Sequence, residues 1–138
     1  MTLEEEIVAK GLTAPRITLA DVEANIVGEY YFTAGQGISG EVSSRAEQPY
    51  QFCYENSLDL LTFCVLVTKN GFTVTGESAC ASPKNFYAEL GRKIARDNAI
   101  EKLWPLMGYE LKTKLHEEEA KNGLVASLGE DDCEGCKI

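Results

Sequence analysis

Cysteines, a histidine and carboxylates are the residues of this chain that could do covalent or metal chemistry. Cys133-Glu134-Gly135-Cys136 places two thiols at a metal-binding spacing, but one such pair supplies only half of the four ligands a structural zinc needs. The remaining candidates are His116, Cys80, Cys64 and Cys53. Of these, Cys64 falls in a strand pattern and Cys80 in a capping loop. A redox pair would open a helix after a strand rather than sit in an acidic tail. Cys133 and Cys136 therefore read as part of a mobile tail, with no metal site and no cofactor. Nucleophilic catalysis needs a base beside the nucleophile. His116, the single histidine, precedes Glu117, Glu118 and Glu119 and reads as a solvated helix residue. Nothing assembles around Cys80, and the pairs Glu118-Glu119 and Asp131-Asp132 are charge runs. The chain reads as a non-enzyme.

Anion binding is better provided for. A helix start presents free N–H groups, and Ser82-Pro83 has the chemistry of one, a capping hydroxyl followed by proline in the first turn. Arg92, Lys93 and Arg96 follow on one helix face. Ser82, Arg92, Lys93 and Arg96 are thus the candidate ligand-binding residues, suited to a small phosphorylated ligand such as a nucleotide or to an acidic partner. The competing reading is a solvated face in which Glu89 pairs with Arg92 and Lys93 at helical spacing. The glycines of GQGISG, Gly35, Gly37 and Gly40, lack the Lys-Ser/Thr of a phosphate loop and the strand-to-helix context of a dinucleotide site. They read as part of a flexible connection over residues 33–58, with a short strand near Glu41–Ser43 or Tyr50–Tyr54.

The elements that would carry these residues follow from pattern. Thr18 with Asp21 forms a capping box, and Ile17 with Val22 a hydrophobic staple. Leu19, Val22, Ile26 and Tyr30 recur at helical spacing, which predicts a helix over Leu19–Tyr31 with Leu19 and Ile26 in the core. Leu61, Phe63, Val65 and Val67 alternate with Thr62, Cys64, Leu66 and Thr68, the second set forming a partly apolar, half-covered face. Asn70-Gly71 predicts a type I′ turn to a return strand through Val74 and Gly76. In the long helix, Phe86, Tyr87, Leu90 and Ile94 form one apolar stripe. Ile100, Leu103, Trp104 and Met107 form a second, rotated from the first. Pro105 predicts a kink or an end there, a short helix follows over Tyr109–Ala120, and Asn122-Gly123 breaks it. Residues 1–13 read as a flexible arm, 14–115 as a single α+β domain and 116–138 as an acidic flexible tail. The domain is expected to combine an N-terminal helix, an antiparallel hairpin or three-stranded sheet, and a long C-terminal helix packed on it.

Charge narrows the partners. The chain of 138 residues carries a net charge of -9, which disfavours nucleic acid and anionic membrane. No apolar run is long enough to span a bilayer. Yet Lys84 to Lys102 holds five basic and three acidic residues, a mildly basic island in an acidic protein. Weak nucleic-acid contact through that face is the least favoured alternative. Homo-oligomerisation is left open. The acidic start MTLEEEIVAK is unlike a signal peptide, so five cysteines are expected as reduced thiols in a cytosol.

The order helix, hairpin, small-residue loop and basic helix resembles the double-stranded-RNA-binding domain, with GESACASPKNFYAELGRKIARDNAIEKL in the place of that family's helix. A closer resemblance, over about Ala14 to Leu115, is to the gp-forty-nine/gene-sixty-six family of small tailed-phage proteins. It rests on TAPRITLADVEANIVGEYYFTAG, LLTFCVLVTKNGFTVTGESACASPKNF and GRKIARDNAIEKLWPLMGYEL. The resemblance implies a bacteriophage accessory protein acting in the host cytoplasm. Such a protein would bind a host or phage component and modulate host metabolism or defence, and no catalytic residues come with the match.

Overall fold

The computed structural model describes residues 2–12, 14–45 and 53–126. Two compact units divide the chain, one made of residues 17–106 and the other of residues 1–16 with 107–138. The first unit is α+β. It holds α2 (Leu19–Asn25), β1 (Ile26–Thr33), α3 (Ala34–Arg45), β2 (Leu61–Thr68), β3 (Thr73–Ala79) and the first part of α4 (Ala88–Ala126), with 3₁₀ turns at Asn56–Leu60 and Pro83–Asn85. The strands form one antiparallel sheet in the order β1-β2-β3.

The α2 start is as the sequence requires: Thr18 Oγ1 accepts from the Asp21 N–H, and Asp21 returns a carboxylate oxygen to the Thr18 N–H. The helix then ends at Asn25, not Tyr31. Residues 26–33 become a strand because β2 pairs with them, from Ile26 opposite Thr68 to Thr33 opposite Thr62. A bulge at Val27 begins that pairing. Neither Leu19, which is exposed, nor Ile26, which is half-buried, sits in the core; Val22 is the α2 residue with no exposed surface. Residues 34–45 are helical rather than a loop with a strand at Glu41–Ser43. Thr33 and Gln36 begin that helix with reciprocal side-chain-to-backbone bonds, the same box chemistry with glutamine in place of an acid. Tyr54 is not in a strand, and residues 46–52 lie outside the described ones.

The hairpin between β2 and β3 is present, but its turn differs. Gly71 has φ +88°, and among the described residues no non-glycine, Asn70 included, has positive φ, which excludes a type I′ turn at Asn70-Gly71. Gly71 N–H donates to the Thr68 carbonyl and Thr68 N–H to the Phe72 carbonyl. This is the three-residue loop in which a type I turn is followed by a left-handed glycine. Asn70 Oδ1 accepts from both the Thr68 hydroxyl and the Phe72 N–H.

The sheet face that packs on α4 is the one with fewer large side chains. Thr62, Cys64, Leu66, Val74 and Gly76 are buried, while Phe63, Val65 and Val67 are half-exposed. Gly76 is the reason. A Cβ built on it would lie 2.1 Å from the Ala95 carbonyl oxygen and 2.3 Å from the Ala99 nitrogen. Gly76, Ala95 and Ala99 therefore let the helix backbone ride directly on the strand. Ala95, Ala99, Ile100 and Leu103 supply the helix side of the core. On the opposite face Phe32 and Phe63 stack with ring centroids 5.4 Å apart.

Ser82 does not open the long helix. Its hydroxyl caps the separate 3₁₀ turn at Pro83–Asn85, and α4 begins six residues after it, at Ala88. Pro105 lies inside α4, which neither stops there nor breaks at Asn122-Gly123 but runs to Ala126. His116 is accordingly an exposed residue of that helix. In the second unit, α1 (Leu3–Ala9) forms where a flexible arm was expected, held by a Thr2–Glu5 capping box. Arg16 donates to both carboxylate oxygens of Glu4. Cys133 and Cys136 lie outside the described residues.

Candidate functional site

Arg96 is committed to an ionic clamp. Its Nη1 and Nη2 donate to the two carboxylate oxygens of Glu23 at 3.0 and 2.6 Å, and its Nε donates to Glu29 at 2.5 Å. The forked geometry of guanidinium on carboxylate makes this the strong form of an ion pair. It ties α2, β1 and α4 together at one point. The Arg96 side chain bonded to it holds Glu23 below the ordinary carboxylate pKa, against a smaller opposing effect of burial. Those same two carboxylates raise Arg96 further above its ordinary range. Beneath the clamp, burial foremost and then the neighbouring Cys64 and Glu29 raise Tyr31. Burial likewise keeps Cys64 a protonated thiol. A hollow of about 300 Å³ beside Arg96 is lined by Glu23, Ile26, Val27, Gly28 and Glu29. Its one cation is thus balanced by two acids, which does not suit a second anion.

The other cations near the start of α4 stand differently. The expected pairing of Glu89 with Arg92 and Lys93 does not form; Glu89 instead accepts from the Tyr87 hydroxyl at 3.2 Å. Arg92, Lys93 and Lys84 make no ion pair among the described residues. Arg92 lines a hollow of about 150 Å³ with Phe32, Thr33, Gln36, Thr62, Phe86 and Ala88. Lys93 is exposed. The Ser82 hydroxyl oxygen accepts from the Lys84 N–H at 3.4 Å, and Ser82 lines none of these hollows. The four residues singled out from sequence are therefore not gathered on one ligand: Arg96 faces carboxylates, Arg92 faces an aromatic-walled hollow, and Ser82 caps a turn.

A third hollow, of about 140 Å³, lies on the β3 side of α4 and is mostly apolar. Leu60, Ala79, Cys80, Phe86, Leu90 and Ile94 are among its walls. The stripe Tyr87, Leu90 and Ile94 is left 62%, 51% and 43% exposed beside it. Its spacing was legible in the sequence, but its exposure was not: the helix turns half-buried Gly91 and fully buried Ala95 and Ala99 toward the sheet in its place. The partners of Arg96 had no sequence signal, because Glu23 and Glu29 fall in a segment patterned as one helix. Among the described residues, no three His, Cys, Asp or Glu side chains gather to hold a metal ion, and no helix is long and apolar enough to cross a membrane.

The family model described as phage protein (N4 Gp49/phage Sf6 gene 66) matches residues 17–115. The chain belongs to that family. The match covers the whole α+β unit, so the Arg96 clamp, the three hollows and the exposed stripe all fall on the part the family shares. It identifies a phage protein and carries no catalytic assignment. No curated protein and no solved structure matches the chain.

Proposed function

We propose that this phage protein is a non-enzymatic accessory protein that acts in the host cytoplasm by binding an acidic protein of the host or the phage at the start of α4. The observation that carries the reading is the trio Lys84, Arg92 and Lys93, without ion-pair partners among the described residues; Arg92 walls one hollow, and Lys84 and Lys93 are chain neighbours of Asn85 and Ile94, which wall the apolar one. In a chain of net charge -9, an acidic partner is repelled at long range. Within a Debye length of about 8 Å, however, local cations dominate what a docking surface feels. Apolar walls supply affinity and the cations supply orientation and selection. A nucleotide-sized phosphorylated ligand is less well served, since Arg96 is already neutralised by Glu23 and Glu29.

The test is crosslinked capture from infected cells with the wild-type chain and with Lys84→Glu/Arg92→Glu/Lys93→Glu. All three side chains are exposed or partnerless, so the variant keeps its fold. The expected outcome is a partner held by the wild type and lost on charge reversal. Recovery of the same proteins by both would refute the reading.

A further inference from the structure

β3 is an edge of the three-stranded sheet, and Ser78 and Ala79 at its end wall the apolar hollow. Bonds at both ends of the β2–β3 pair set the polarity of that edge. Cys80 N–H donates to the Leu60 carbonyl and Thr68 N–H to the Phe72 carbonyl. In an antiparallel pair such bonds alternate along the strand, so even-numbered residues of β3 turn their amides to β2. Thr73, Thr75, Glu77 and Ala79 turn theirs outward. Asn98 Nδ2 donates to the Glu77 carbonyl at 2.7 Å, which confirms the direction and caps that one outward acceptor. At the end of β3 beside the hollow, the Glu77 N–H and both backbone groups of Ala79 have no partner among the described residues, and Ala79 is also a wall of the hollow.

We infer that a partner segment binds in extended form as a fourth strand on the outer edge of β3, with an apolar side chain seated between Ala79 and the Leu90–Ile94 stripe. The inference rests on the acidic-partner reading and specifies its mode. An added strand satisfies the outward backbone groups, and only alternate side chains reach the groove between strand and helix. A hollow of about 140 Å³ takes one aliphatic or aromatic side chain. Charge complementarity fixes the rest of the segment. Lys84 adjoins the hollow residue Asn85, and Lys93 lies between Arg92 and Ile94 on α4. Acidic residues beside the apolar anchor are therefore matched to cations that make no ion pair among the described residues.

Selection of a displayed library of short random peptides on the full chain tests this, followed by amide exchange with the enriched peptide. The expected peptides carry acidic residues and an apolar residue at alternate positions. Their binding slows exchange at Glu77 and Ala79, whose outward amides exchange freely in the unbound protein. Leu90→Asp or Ile94→Asp, both at exposed positions, weakens binding at least tenfold while the thermal unfolding midpoint holds. Peptides that lose affinity on Lys84→Glu/Lys93→Glu yet leave β3 exchange unchanged would overturn strand addition and leave the acidic-partner reading standing. No enrichment, or enrichment indifferent to charge reversal, would overturn both. A dimer in sedimentation that dissociates on Leu90→Asp would assign the edge to a second copy of the chain and also overturn the inference.

Discussion

Gly76→Ala puts the helix–sheet contact to a direct test. The added methyl would stand 2.1 Å from the Ala95 oxygen, 2.3 Å from the Ala99 nitrogen and 2.9 Å from the Ala99 Cα. Every one of these is backbone, so no side chain can swing aside. To restore ordinary contact α4 must lift by about 1 Å or β3 must bend away, and close-packed interiors do not yield that far without loss. Either movement opens the layer holding Cys64, Leu66 and Leu103 and stretches the Asn98–Glu77 bond. Overpacking of this kind costs about 1–3 kcal/mol, and backbone on all sides argues for the upper end, about 3 kcal/mol. Urea unfolding followed by circular dichroism measures it. Gly40→Ala is the control: a Cβ there meets nothing within 4 Å. In the middle of α3 it should stabilise by about 0.5–1 kcal/mol through helix propensity and the unfolded chain. If Gly76→Ala falls within about 0.5 kcal/mol of wild type, below the range for overpacking, the close approach of α4 to β3 is wrong.

Two further predictions concern the clamp and the thiols. Arg96→Leu should destabilise by about 1 kcal/mol at neutral pH, a modest figure because Glu23 and Glu29 are 42% and 37% exposed and screened by water. Glu23 is held below its ordinary value of 4.5. Its contribution is therefore present above that pH and lost as pH falls through the folded value, so the gap between wild type and variant narrows in acid. An equal gap at neutral pH and well below pH 4 would show that the ion pair is not its source. Cys64 is fully buried with its pKa raised, whereas Cys53 is exposed. Alkylation mapped by mass spectrometry should label Cys53 at least a hundredfold faster, and comparable rates would refute the buried position of Cys64.

The parts of the fold legible in the sequence are those whose chemistry is local. Thr18 and Asp21 cap α2 because donor and acceptor lie three residues apart, and Asn70-Gly71 marks a hairpin because Gly71 alone accepts positive φ there. Two strands of the sheet and the long helix follow from periodicity, and the family resemblance rested on the same stretches. The rest was settled between residues far apart in the chain. Residues 26–31 continue a helical pattern but become strand once β2 supplies backbone partners along their length. Which face of β2 is buried was decided by Gly76 against Ala95 and Ala99, since the closest approach of two backbones outweighs the larger side chains of the other face. The site divided in the same way. Lys84, Arg92 and Lys93 make no ion pair among the described residues, although Glu89 is spaced to meet the last two. Arg96 pairs with Glu23 and Glu29, which lie 73 and 67 residues away. The stripe Tyr87, Leu90 and Ile94 has the spacing of a core face and stays outside, because the smaller residues beside it fit the sheet more closely.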